Sequence, residues 1–356
     1  MALTQASRQW ATRPPDERFS SLQALHDACT YHREHARTAN IQWSDLRVKA
    51  AGDNLTLNGR TGVPAEFTNW SFGQVCSRIG APATYLAELP AELAASNLNH
   101  GLEKDKDEQR IASLLIHENG GLILRAATSD KYERIWNNDV TARLLRLAEQ
   151  GTWQPAPAAF DGSRGLYASD HDLFAFLVDS ERKIFEKAPG GGLSRGFFTW
   201  NSEVGASSFG VMRFFYEYVC GNHMVWGAKD VQEIRIRHVG DAPDKAFGQL
   251  QAELRKYAEG SAAEDEAVIQ RAMLKEIGQT KDEVLDAIFG LRVPALSRKK
   301  IEEAYDAAEK HVDWYGSPRS VWGMANGLTE IARDIAYTDK RVELERASAR
   351  VMDMAF

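Results

Sequence analysis

Cysteine is scarce. Cys29, Cys76 and Cys220 are the only three, too few and too scattered for a disulfide framework, so they are expected to stay reduced in a cytoplasmic setting. No stretch is long and apolar enough for a membrane span. The opening residues, MALTQASRQWATRPPDER, put Arg and Pro where a signal peptide needs an apolar run. Internal repeats, low-complexity tracts and useful coiled-coil heptads are missing as well. So are the fingerprints of the common nucleotide enzymes. There is no dinucleotide-binding glycine motif. Gly190-Gly191-Gly192 lacks the Lys-Ser/Thr ending of a phosphate-binding loop and precedes a strand pattern, where that loop precedes a helix. Positive charge is in deficit: the net charge of −7 argues against a dedicated DNA-coating protein, while leaving local basic patches open.

What the chain does have is apolar residues. At 44% hydrophobic over 356 residues it can bury a sizeable core, and its length admits two domains. The densest stretch is Arg195–Gly227, with nine aromatics in thirty-three residues and almost no Lys or Glu. Phe197, Thr199 and Asn201 alternate with Phe198, Trp200 and Ser202, a period of two that suits a strand. Phe209–Val219 reads as a second long strand or, alternatively, as a buried helix. Two strands joined around Gly205 would form the central hairpin of a sheet.

In chain order, residues 1–18 read as a flexible arm, 19–240 as an α+β body and 241–356 as a helical region. Ser20 or Ser21 caps a helix expected over Leu22–Ala39. Asp45–Leu57 reads as a strand pair about Gly52-Asp53-Asn54. Three helices follow, Phe72–Ile79, Ala83–Leu89 and Pro90–Leu102. A DNA-reading helix–turn–helix is the tempting interpretation, but the second helix has about two turns and stops at a proline, so a packed helical hairpin is the reading taken. A hairpin is expected from Ile111–Ile116 and Leu122–Ala127, a helix over Ile135–Gln150, a linker over Trp153–Ser163, and strands at Leu173–Val178 and Val231–His238. Helical patterns then occupy 246–259, 263–278, 281–289, 297–312 and 318–350. The expected class is α+β, a curved and mostly antiparallel sheet with packed helices and a helical C-terminal third.

Five stretches in order carry a family resemblance: ATSDKYERIWNNDV, NSEVGASSF, YVCGNHMVWG, RIRHVG and SVWGMANGLTEIARD. Together they resemble the landmarks of the phage- and plasmid-like proteins catalogued as domain of unknown function 932, over roughly Trp70–Asp334. Asn201 and Cys220 match the family pattern. The resemblance brings no catalytic role with it. The mobile-element setting it implies points to DNA replication, recombination or host takeover.

Chemistry-bearing residues fall into four sets. His26, Cys29, His32 and His35 recur every third residue, but on a helix each step of three turns by about −60°, so only neighbouring pairs could share an ion and a tetrahedral metal site is not expected. Cys220 with His223 or His238 has the makings of a nucleophile and base, against the commoner role of a buried cysteine as a small hydrophobe. His171 between Asp170 and Asp172 has the composition of an acid–base cluster or of an ordinary Asp-rich turn. Finally, Arg195, Arg213, Lys229, Arg235, Arg237 and His238 are interleaved with Trp200, Tyr216, Tyr218 and Trp226. A cationic groove with flat side chains is what sequence-tolerant single-strand binding requires. The expected function is therefore non-enzymatic binding or annealing of single-stranded DNA by a homo-oligomer, with no cofactor, metal or membrane. The rivals are an enzyme working through Cys220 or a histidine on a small molecule or nucleobase, and a protein that binds a host factor.

Overall fold

The computed structural model describes residues 17–58, 64–104, 111–118, 120–151, 153–155, 165–184, 193–217, 223–224, 234–259, 262–333, 344, 347–348 and 350–355. It begins with helix α1 (Leu22–Glu34), whose first turn is closed by the Ser21 hydroxyl accepting from the Ala24 N–H. The expected continuation of this helix to Ala39 is not found. The chain turns at His35 and runs as strand β1 (Ala36–Gln42), antiparallel to β5 (Ile111–Glu118). Ala and Arg favour helix locally, but pairing with a strand 75 residues on overrides that preference.

Strands β2 (Arg47–Ala51) and β3 (Asn54–Asn58) form the expected pair around Gly52, which takes φ +64°, and β4 (Ala65–Phe67) follows. Helix α2 (Asn69–Arg78) opens on a capping box between Thr68 and Ser71. With α3 (Ala83–Ala87) and α4 (Ala91–Lys104) it packs on the six-stranded sheet β1-β5-β6-β4-β3-β2, where β6 is Leu122–Ser129. Only the β4–β6 pairing in that sheet is parallel.

Helix α5 (Asn137–Glu149) leads to the second sheet. The segment expected to be linker starts as strand β7 (Gln154–Pro155), because Trp153 is buried edge-on against Phe197 with ring centroids 5.0 Å apart. After β8 (Leu166–Ala168) come the long strands β9 (Leu173–Ile184), β10 (Leu193–Asn201) and β11 (Phe209–Glu217), then β12 (His223–Met224) and β13 (Ile234–Ile236). The hairpin about Gly205 is present, and Phe209–Glu217 is strand rather than helix. Trp200 lies opposite Gly210, and a Cβ on Gly210 would stand 2.0 Å from the indole, so only glycine leaves the ring its place.

The α+β class is as the sequence indicates, with the mostly antiparallel strands divided between two open sheets. Residues 194–201 of β10 are buried on both faces. One side meets α1, α5 and α6 (Ala242–Glu259). Among the C-terminal helices, α7 (Ala262–Leu274), α8 (Lys281–Phe289), α9 (Arg298–Lys310) and α11 (Val321–Arg333) build a separate core, with the short α10 (Val312–Tyr315) between the last two. There Gly327 lets α11 lie directly on the Ala304 carbonyl of α9, 2.1 Å from where a Cβ would stand. None of the helices among the described residues is long and apolar enough to cross a membrane.

Candidate functional site

Two features meet where the sheets join, and the residues after β10 organise both. Asn201 closes the strand, and the Ser202 hydroxyl donates to the His171 carbonyl (2.6 Å) while accepting from the Ala206 N–H (2.9 Å). That short-range turn, with Gly205 at φ +82°, points Glu203 inward. The Glu203 carboxylate pairs with Arg125 of β6 at 3.0 Å, both side chains at most 4% exposed, and accepts the Asn137 N–H at the start of α5 (2.8 Å). A carboxylate at a helix N-terminus is favoured by the unpaired N–H groups there. Arg134 donates to the Glu203 carbonyl, Asn201 donates to the Ile135 carbonyl (2.8 Å) and to Asn137 Oδ1 (2.7 Å), and the Tyr132 hydroxyl donates to the Ser202 carbonyl (2.6 Å). A cation–aromatic ladder continues outward. Arg33 lies 3.7 Å over Trp136, Arg134 approaches both Trp136 and Tyr132, and His238 stacks on Tyr132 at 4.9 Å. Burial pushes the Tyr132 hydroxyl up, the Arg134 guanidinium down and the His238 imidazole down to about 4. Arg125, Arg134, Asn137, Asn201, Ser202, Glu203 and His238 are buried, so this inner part of the group positions the two sheets, while Tyr132 and Trp136 are half-buried and Arg33 at the outer end is exposed.

Beside it lies an open cleft of about 870 Å³. Its first wall is one face of α2, where Trp70, Gly73, Gln74, Ser77 and Arg78 recur at helical spacing. Opposite stand Ala127, Thr128 and Ser129 from the end of β6, then Asp130, Lys131 and Gly205, with Trp43 and Ile111 closing the end. The Trp70 Nε1–H and the Gln74 amide both donate to the Val204 carbonyl (2.9 and 2.7 Å), which fixes the indole and ties the cleft to the buried hub. Arg78 lies over the Trp43 ring at 5.4 Å. Gly73 is the informative residue. Mid-helix glycine costs about 1 kcal/mol relative to alanine, and a Cβ at this position would meet nothing within 4 Å. The bare backbone therefore leaves room in the cleft. Arg78 and Lys131 against Asp130 give the lining a local excess of positive charge in a chain whose net charge is −7.

The nucleic-acid set read from the sequence is not drawn together by the described residues. Trp200, His238 and Arg195 are 1%, 4% and 5% exposed, and Arg237 is exposed. Arg213 and Tyr216 are placed by backbone on β11 and Arg235 on β13. Lys229, Tyr218, Trp226 and Cys220 lie outside the described residues, and His223 is placed by backbone alone on β12. The histidine series divides: His26 bonds Thr141 (2.9 Å), while His32 and His35, the latter with Nδ1 on the Tyr31 carbonyl (2.8 Å), both approach His117, with ring centroids 5.0 and 6.2 Å away. Among the described residues no three His, Cys, Asp or Glu side chains are grouped to hold a metal ion. His171 is exposed in a turn built by Ser169 and Asp172. Burial raises the thiol of Cys29 and that of Cys76, the latter to about 11, which makes both poor nucleophiles at neutral pH.

Sequence reasoning missed the cleft. The Trp70-x-x-Gly73-Gln74-x-x-Ser77-Arg78 spacing was the available signal, one helical face with a gap in it. The Arg125–Glu203 pair, 78 residues apart, has no local signal at all.

No curated protein and no solved structure matches this chain. A family profile described as Domain of unknown function (DUF932) matches residues 126–350. All five landmark stretches fall inside that range, and three of them, those with Tyr132–Asn137, Asn201–Val204 and His238, meet in the buried hub, whereas the α2 wall of the cleft precedes it. With more than half of its length matched, the chain belongs to the DUF932 family.

Proposed function

We propose that this protein binds single-stranded DNA without catalysing a reaction on it, and that the cleft between α2 and the end of β6 is where the strand engages. The observation that carries this reading is the cleft's composition: a fixed indole, an empty glycine position and an excess of cationic side chains on an acidic body. Flat faces take bases by stacking, worth about 1–3 kcal/mol per base, and cations take the backbone. Duplex DNA keeps its bases stacked inside and offers no free face to Trp70. The exposed Arg237 does not line the cleft, and the proposal depends neither on it nor on the arginines of β11 and β13.

The test is a salt-dependent titration against single- and double-stranded DNA. Single strands should bind more tightly, with a log–log slope of about 0.7 per contacted phosphate. The Arg78→Ala/Lys131→Ala double variant should flatten that slope by about one unit. Absence of single-strand binding at about 50 mM salt, low enough for phosphate contacts to persist, would overturn the reading.

A further inference from the structure

The polar chemistry of the cleft is split between floor and rim. On the floor the side-chain polar atoms of Trp70, Gln74 and Thr128 are already committed. Trp70 Nε1 and Gln74 Nε2 donate to the Val204 carbonyl, Gln74 Oε1 accepts from the Ala127 N–H (2.9 Å), and the Thr128 hydroxyl donates to the Ser113 carbonyl (3.2 Å). What the floor offers a ligand is therefore flat and apolar: the indole of Trp70, the bare backbone at Gly73 and Ala127. The rim side chains Asn69, Ser77, Ser129, Asp130 and Lys131 are all exposed. Strong discrimination between bases requires donors and acceptors held rigidly against the base edge, because a wrong base then leaves buried polar groups unpaired. Mobile, solvated side chains at a rim impose no such penalty.

The volume of about 870 Å³ lies in the range that encloses one compact molecule, about 300–1,000 Å³. We infer that the cleft is a sequence-neutral site for a single unstacked nucleotide, the base lying against Trp70 and Gly73 and the phosphate facing the Arg78 and Lys131 rim. This rests on the single-strand reading above and narrows it to one nucleotide unit. On this account Asp130 is the one lining charge that opposes the phosphate, and it sets the affinity below what the two cations would give.

The experiment uses the full chain and a fluorescein-labelled oligothymidylate followed by anisotropy. Unlabelled homopolymers of deoxyadenosine, deoxycytidine and thymidine compete in one arm, and the four deoxynucleoside 5′-monophosphates at millimolar concentration in the other. The expected result is displacement by all four monophosphates with midpoints within about threefold of one another, and a similar spread among the homopolymers, as stacking-dominated binding gives. Asp130→Asn should tighten both the oligomer and the monophosphates, the monophosphates more because their phosphate is close to a dianion at neutral pH. A preference of tenfold or more for one base would overturn the inference in favour of base reading. An oligomer that binds but is not displaced by any monophosphate would overturn the single-nucleotide site while leaving single-strand binding standing. An oligomer that does not bind would remove the parent reading and this one with it.

Discussion

Replacing Glu203 by Gln isolates the charge at the centre of the hub. The amide keeps the shape and still offers an oxygen to the Asn137 N–H. It removes the negative charge from a partner 3.0 Å away whose own exposure is 4%. Arg125 would then remain buried and charged, with its other contact a single hydrogen bond to the Asp170 carbonyl (3.0 Å). Breaking a buried pair by removing one partner costs about 3–5 kcal/mol, mostly as the penalty on the charge left behind. Arg125→Met should cost a similar amount, by stranding the carboxylate. The double variant Arg125→Met/Glu203→Gln should recover at least about 2 kcal/mol relative to the sum of the singles, since neither charge is then orphaned. Urea unfolding with unchanged m-values would measure all three. If each single variant costs less than about 1 kcal/mol, or if the costs add, the pair is not the clamp described and the junction is held by the surrounding hydrogen bonds.

Two further outcomes follow from the packing and the titration of the same region. Gly210→Ala places a methyl 2.0 Å from the Trp200 ring, so the indole must leave its site; a loss of about 1–3 kcal/mol or more, seen as a lower thermal midpoint and a red-shifted tryptophan emission, is expected, and an unchanged midpoint would contradict the packing. The His238 imidazole is held down to about 4 by burial, from an ordinary value of 6.5. Below 6.5 the unfolded chain takes up a proton that the folded chain refuses until about 4, so stability should fall as pH drops through that window, by about 3 kcal/mol. His238→Phe, which keeps a ring on Tyr132, should flatten that part of the stability–pH curve.

The period-two alternation of β10 and the run at 281–289 were legible because each is set by neighbours in sequence. Helix α8 occupies Lys281–Phe289 as read. The end of α1 was not legible, because what turns Ala36–Gln42 into a strand is its register with Ile111–His117. Burial was misjudged for Arg195, on β10, for a related reason. Alternation assigns residues to two faces but cannot say that both faces of β10 are covered. The cleft is assembled from residues as far apart as Trp43 and Gly205, and only its α2 wall leaves a trace in the sequence, as a helical face interrupted by glycine.

The most direct test of the cleft as the binding site is Gly73→Trp, because it fills the space without altering any charge. A side chain there projects into open volume, and the loss of glycine favours the helix, so the thermal midpoint should be unchanged or higher. Single-strand affinity should fall at least tenfold with the salt slope of the residual binding reduced, while Gly73→Ala, too small to fill the cleft, retains binding. Undiminished affinity and slope in a folded Gly73→Trp protein would contradict the account and place the DNA elsewhere on the surface.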